Sequence, residues 1–150
     1  MESLAKAREY ICVGNGEYLD PHTGKYFRIT SLSDLSYEHL EPVINSNEWN
    51  YIFITPKTSI PSKRLETWST RIQVIRPDEL SIWVKGHMYL PRHFRRLSNE
   101  EKRALDQQYN LEKCPLQLET DPMSRFYGFV PGDVIEITRS DGTLYYRRIV

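Results

Sequence analysis

Cysteine is scarce in this chain: Cys12 and Cys114 are the only two among 150 residues. Neither sits in a Cys-x-x-Cys pair, so no zinc ribbon can be read, and both are expected to be reduced thiols. Glycine is sparse as well, at seven residues. Gly14-Asn15-Gly16 lacks the Gly-Lys-Ser/Thr or GxGxxG context of a phosphate loop and reads as a turn. No stretch approaches the roughly eighteen apolar residues of a membrane span. Net charge is absent, with twenty basic residues against twenty acidic ones. Residues 1–82 hold nine Lys/Arg and eleven Asp/Glu, and residues 83–150 hold eleven and nine, so neither half grips phosphate by bulk charge. The charged N-terminus has no apolar core of signal-peptide length, which points to a soluble intracellular protein.

Aromatic residues are abundant, at 12% with ten tyrosines. Such chains often place large amphipathic rings at a core edge or an interface. Hydrophobic residues make up 39%, enough for a modest core, and the length suits one domain or a small domain with a compact companion.

Along the first half, Leu4, Ala5 and Ala7 can start a short helix. Asp20-Pro21-His22-Thr23-Gly24 is a turn between the β-prone segments Tyr18-Leu19 and Tyr26 to Ile29, and a hairpin is expected there. Ser33 or Ser36 can cap a helix through Leu40, Val43 and Ile44. Tyr51 to Ile54 is the best candidate for a buried central strand. Ser59 is expected to cap a helix over 60–69 with Leu65 and Trp68 facing inward, and Ile72 to Ile75 reads as a further strand. Strand, helix and strand over 51–75 make a βαβ-type unit with parallel strands.

Residues 78–97 read as a link between two halves. They carry a basic cluster, Lys85, Arg92, Arg95 and Arg96, whose expected role is a solvated face or a contact with an acidic partner. Ser98-Asn99-Glu100-Glu101 is a capping box, opening a helix with Ala104, Leu105 and Tyr109 on one face that must end before Pro115. Asp121-Pro122 starts a one-turn helix, and Gly128 fits its left-handed C-terminal position. That helix is expected to expose Arg125, Phe126 and Tyr127, which is hot-spot chemistry. Val134 to Arg139 and Leu144 to Val150 form strands joined at Asp141-Gly142, a strong hairpin signal.

Four pieces of the second half occur in an order that resembles the subunit 5/H family of multi-subunit DNA-dependent RNA polymerases. The stretch from Asp121-Pro122 through Arg125-Phe126-Tyr127-Gly128 and Gly132-Asp133-Val134 to Arg139 is similar to the family signature. Tyr145-Tyr146-Arg147 is similar to its closing strand, and His87-Met88-Tyr89-Leu90-Pro91-Arg92-His93 to its His-x-Leu-Val-Pro-x-His segment. Leu97-Ser98 with Glu100-Glu101 is similar to its capped helix. Upstream, Tyr51 to Ile54, Ile60-Pro61-Ser62-Lys63 and Ile72 to Ile75 look like the end of the eukaryotic "jaw" domain, here shortened, while residues 1–45 resemble nothing identified. The pattern departs at Cys114-Pro115-Leu116-Gln117-Leu118, a shorter loop than the family's, and at Arg95-Arg96, which looks like an insertion.

The resemblance implies an α+β fold, with a shortened α/β jaw domain over 1–78 followed by a C-terminal assembly module over 79–150 made of a β-hairpin plus helices. It implies a non-catalytic structural subunit that docks on the largest polymerase subunit and helps form the downstream DNA channel. The implied docking residues are Arg125, Phe126, Tyr127, His87, Pro91, His93, Tyr146 and Arg147. Lys57, Lys63 and Arg64 are implied to lie near downstream duplex DNA, making sequence-independent phosphate contacts. The alternative is a free-standing nucleic-acid-binding or scaffold protein using the same module. No cofactor, membrane partner or small-molecule substrate is expected. His87, His93 and Cys114 do not form a zinc spacing, and no nucleophile motif joins the Ser, His and Asp residues. The expected location is the nucleus for a cellular source, or the host cytoplasm and virion for a large DNA virus.

Overall fold

The computed structural model describes residues 1–85 and 93–150, with side chains for 1–81 and 93–150. The chain divides into two compact units, Met1–Lys85 and Gly86–Val150. The division falls beyond the 78/79 boundary expected from sequence, because Pro77–Lys85 is one helix and not the opening of a link. A proline at its first position and Asp78 and Glu79 in its first turn are ordinary helix-start chemistry.

The N-terminal unit runs α1 (Glu2–Ala7), β1 (Ile11–Gly14), β2 (Glu17–Leu19), β3 (Tyr26–Ser31), a 3-10 turn (Tyr37–Leu40), α2 (Glu41–Asn45), β4 (Trp49–Ile54), α3 (Ser62–Glu66), β5 (Ile72–Ile75) and α4 (Pro77–Lys85). Its five-stranded sheet keeps the chain order β1-β2-β3-β4-β5. The first three strands are antiparallel neighbours, and Asp20 builds the β2–β3 turn by accepting from the His22 amide at 2.9 Å and the Thr23 hydroxyl at 2.7 Å. β3–β4 and β4–β5 are parallel, as the βαβ reading of 51–75 expects.

β4 is the centre of this unit. Tyr51, Ile52, Phe53 and Ile54 are all buried, which a strand achieves only when both faces of its sheet are covered. Tyr51 and Phe53 pack with Leu35, Leu40, Val43, Ile60 and Ile72, so the 3-10 turn, α2 and α3 cover that face. Gln73, opposite Ile52 in the β4–β5 ladder, accepts from the Arg8 guanidinium at 2.7 Å, which brings the end of α1 to the other face. The helix expected over 60–69 is shorter, and Ser59 does not cap it. Pro61 holds the N-cap position, while Ser59 is committed elsewhere: its amide bonds the Leu35 carbonyl and its hydroxyl donates to Asp34 at 2.7 Å. Leu65 and Trp68 do pack against the core, each half-buried.

The C-terminal unit runs β6 (His93–Arg96), α5 (Asn99–Gln108), a 3-10 turn (Leu111–Lys113), β7 (Leu116–Gln117), α6 (Pro122–Tyr127), β8 (Val134–Thr138) and β9 (Leu144–Ile149). Its sheet order is β6-β8-β9-β7. The expected hairpin is β8–β9, antiparallel. β6 adds antiparallel to β8 and β7 adds parallel to β9; neither strand was expected. The capping box of α5 is present, with the Ser98 amide donating to Glu101 at 2.7 Å and the Glu101 amide to the Ser98 hydroxyl at 3.2 Å. Its inward residue is Leu105 alone: Ala104 is exposed and Tyr109, already outside the helix, is 65% exposed. α6 follows the sequence reading, since Asp121 accepts from the Met123 amide and Gly128 adopts φ +68°. Together the two units give the expected α+β fold.

Replacing Phe53 with alanine is expected to destabilise the N-terminal unit by about 3–5 kcal/mol. Urea unfolding followed by the fluorescence of Trp49 and Trp68, which pack in the same cluster, measures it.

Candidate interaction surfaces

The C-terminal sheet presents two faces, and the ladder register assigns each residue to one of them. Phe94, Ile135, Ile137, Arg147 and Ile149 share the first face, which α6 covers; Phe129, Ile135, Ile137 and Ile149 form its core, with Phe94 and Tyr127 against them. Alternation along the strands places His93, Arg95, Val134, Glu136 and Tyr146 on the second face, where Leu97, Leu105 and Val134 are packed by Leu111 and Tyr146.

Tyr127 is the middle of an aromatic group. Its ring lies 5.4 Å from Phe94, 5.2 Å edge-on from Phe126 and 5.4 Å from Phe129 in a stacked arrangement. Burial pushes the Tyr127 phenol above its usual value. Phe126, expected to be exposed, is only 7% accessible and faces the interior. Asp121 at one end of α6 and the left-handed Gly128 at the other set the rotation of this single turn, and that rotation turns Phe126 inward, leaving Arg125 half-buried.

Arg96 and Asp133 tie this unit together. Arg96 Nε donates to Asp133 Oδ2 at 2.9 Å and its Nη2 to the Gly128 carbonyl at 2.8 Å, while the guanidinium lies over the Phe129 ring. Asp133 also accepts from the Val130 amide at 2.9 Å, and Lys102 Nζ donates to the Gly132 carbonyl at 3.2 Å. The Arg96 and Asp133 side chains are 16% and 11% exposed, so this is a nearly buried, hydrogen-bonded pair. Arg95 is engaged too, with Glu101 at 2.7 Å and Glu136 at 3.2 Å. For Arg96 the solvated-face or acidic-partner reading is therefore corrected, because β6 turns it onto Asp133, just before β8; Arg95 does lie on a solvated face and is paired there with Glu101 of α5 and Glu136 of β8. The Ser98 amide, followed by Arg95, holds the Glu101 carboxyl below its usual value.

The residues expected to dock on a partner do not form one patch. Arg125, Tyr127 and Arg147 belong with the α6-covered face, with Arg147 Nη1 donating to the Leu116 carbonyl at 3.2 Å. His93, exposed, and Tyr146, whose hydroxyl donates to Glu136 at 3.3 Å, belong to the opposite face. His87 and Pro91 lie outside the described residues. The sequence reading missed Arg96 and Asp133, although Asp133 directly follows the Pro131-Gly132 turn and could have been read as a turn-side acceptor.

In the N-terminal unit Lys57, Lys63 and Arg64 are all exposed, and none is in an ion pair among the described residues. Lys57 follows β4 beside the Leu35–Thr58 bridge, and Lys63 and Arg64 lie on α3, so one β4–α3 connection carries all three. Cys12, exposed, and Cys114, half-buried, are free thiols. Burial pushes the Cys114 thiol up. Among the described residues no cluster of His, Cys, Asp and Glu could hold a metal, and no helix is long and apolar enough to cross a membrane.

The sequence profile of the family described as RNA polymerase Rpb5, C-terminal domain, matches residues 82–149. The DNA-directed RNA polymerase subunit Rpo5 of Pyrococcus abyssi is 42% identical over 69 residues, which is 43% of this chain and 83% of that protein. An uncharacterized protein of Invertebrate iridescent virus 3 is 39% identical over 87 residues, 58% of this chain and 46% of that protein. Subunit 5B of the Arabidopsis thaliana DNA-directed RNA polymerases IV and V is 28% identical over 81 residues, 53% of this chain and 37% of that protein. The chain thus matches less than half the length of the viral and plant relatives and most of the archaeal one.

Replacing Asp133 with asparagine strands the Arg96 charge in a nearly buried site, so a loss of about 3 kcal/mol is expected in the thermal unfolding of the full chain. Glu101 gives a pH signature. Its carboxyl is lowered in the folded state, so its ionised form adds stability above the ordinary carboxylate range, and that stability disappears as pH falls through the lowered value. Glu101→Gln is therefore expected to unfold at a lower temperature than the parent at pH 7, with the two melting curves converging as the pH falls through the lowered value of the parent's carboxyl.

Proposed function

Since the chain belongs to the Rpb5/Rpo5 family of RNA polymerase subunits, we propose that its C-terminal unit docks on the largest subunit of a multi-subunit RNA polymerase and that its N-terminal unit borders the downstream DNA. The observation that carries the docking proposal is the extent of the archaeal match. The region shared with Pyrococcus abyssi Rpo5 accounts for 83% of that protein, which supports assigning to the matched region the contacts common to such subunits. Its role is structural. The aromatic core under α6 and the Arg96–Asp133 pair give a rigid body whose surface needs little reordering on assembly, which lowers the entropic cost of docking. The iridescent-virus relative supports a large DNA virus as the source, with the protein in the host cytoplasm and virion.

The DNA proposal rests on Lys57, Lys63 and Arg64. Three unpaired cations on one connection suit phosphate contact without base readout, the chemistry a translocating polymerase needs.

Tagged protein is expected to come out of native extract with very large subunits; recovery as a lone species would favour a free-standing scaffold. Because the candidate residues divide between two faces, Arg125→Glu and His93→Glu test them separately. One of the two is expected to cut incorporation at least tenfold while the free subunit stays folded by circular dichroism, and normal incorporation of both would remove these residues from the interface. Lys63→Glu with Arg64→Glu is expected to weaken salt-sensitive binding of the assembled polymerase to downstream duplex while leaving subunit incorporation intact.

A further inference from the structure

The ladder register of the N-terminal sheet lines up four apolar side chains across four strands. Ile11 of β1 stands opposite Leu19 of β2, Leu19 opposite Tyr26 of β3, and Tyr26 opposite Trp49 of β4. Cross-strand partners point to one face, so the four form a single row, about 14 Å long at the usual strand spacing. Alternation puts Cys12, Tyr18 and Phe27 on the other face, where Tyr18 is buried and Tyr10 stacks on Phe27 at 5.0 Å.

One end of the row is anchored. Trp49 packs against the cluster around Tyr51 and Phe53, and Arg71 Nη2 donates to the Trp49 carbonyl at 2.9 Å while its Nη1 donates to the Val43 carbonyl in α2. Beyond Trp49 that cover stops: among the described residues, no member of the cluster comes from β1, β2 or β3. Ile11 is 51% exposed and Tyr26 43%, with Leu19 half-buried between them. Single apolar side chains at a surface are ordinary, whereas a contiguous row of them marks a contact surface.

The charge around the row says what it can contact. Glu17 and Arg28 are the only charged residues in β1 to β4, and they stand opposite each other on this same face, closed into an ion pair at 3.1 Å. The Arg28 guanidinium also lies over the Trp49 ring at 4.4 Å. Lys25 and Glu48, one residue before Tyr26 and Trp49, are of opposite sign. The face therefore has no excess charge for phosphate or for a charged peptide, and its complement is an uncharged apolar surface. Size narrows the choice further. A self-sufficient interface takes roughly 20–30 residues a side, far more than this row supplies, so the row alone would not hold a second copy of this chain. It suits a partner already brought close by another contact, because a tethered second site binds at high effective concentration.

We propose that the row of Ile11, Leu19, Tyr26 and Trp49 is a second docking surface, which takes an uncharged apolar segment of a neighbouring RNA polymerase subunit once the C-terminal unit has docked. This contact presupposes the polymerase-subunit role and gives the N-terminal unit a protein neighbour besides DNA.

The test is hydroxyl-radical footprinting, read by mass spectrometry, of the full chain free and within polymerase purified through a tag on it. Oxidation of Tyr26 is expected to fall about tenfold on assembly, while Tyr37, 55% exposed in the same unit, changes little. Ile11→Glu, at an exposed strand position, is expected to leave the free chain folded by circular dichroism and to speed loss of the subunit from immobilised polymerase about tenfold, with Ile11→Leu behaving as the parent. A chain that never enters the polymerase would overturn the subunit role and this contact together. Entry with Tyr26 as reactive as in the free chain, equal protection of Tyr37, or unchanged retention of Ile11→Glu would each overturn the contact alone. Protection of Tyr26 in the free chain that grows with its concentration would overturn it in favour of a second copy, and protection only on adding duplex DNA would do so in favour of nucleic acid.

Discussion

The guanidinium of Arg96 touches almost every part of the C-terminal unit that has to stay in register. It leaves β6, meets the Asp133 carboxylate at the entrance to β8, caps the Gly128 carbonyl at the end of α6 and rests on the Phe129 ring. Two charges this far out of water are stabilising only if their remaining lone pairs and protons are also satisfied. Here they are: the second arm of the arginine finds a carbonyl, and the carboxylate takes the Val130 amide. The geometry of α6 follows from this. A helix of one turn has no independent stability, and it is held at its start by Asp121, at its end by Gly128 and from beneath by Tyr127 among the other rings.

The N-terminal unit depends on a different constraint. β4 is buried on both faces, so cover must come from each side: the segments that return the chain to parallel pairing supply one, and the end of α1 reaches the other. Arg71 does for this unit what Arg96 does for the other. In both, one planar cation ties the end of a helix to the start of a strand, Arg71 through backbone carbonyls and Arg96 through the Gly128 carbonyl and the Asp133 carboxylate, which a lysine with its single point charge would not do as well. The two units thus share a method of closing short elements, although their sheets differ in topology.

Much of this was legible in the residues. The β4–β5 unit, the capping box of α5, the Asp121 to Gly128 turn and the closing hairpin each have a local chemical signature, and the structure has each of them. Other elements have none. β6 and β7 are four and two residues long, and β6 is too polar and β7 too short for a period-two pattern; they are strands only because β8 and β9 offer them edges. Ser59 looked like a cap because nothing in the linear order shows that Asp34 and Leu35 will claim it. Arg96 looked like surface charge for the same reason, since Asp133 lies far along the chain. The proposed docking residues divide between two faces, because alternation along a strand sends neighbours such as Tyr146 and Arg147 to opposite sides, which the linear order does not show.

The strand order β6-β8-β9-β7 places the two earlier strands on the outside and the terminal hairpin in the middle. During synthesis, therefore, β6 has no ladder partner until β8 has emerged and β7 has none until β9 has, so both edges close late. Loss of β9 would not trim an edge; it would take out the one strand that bridges β8 and β7.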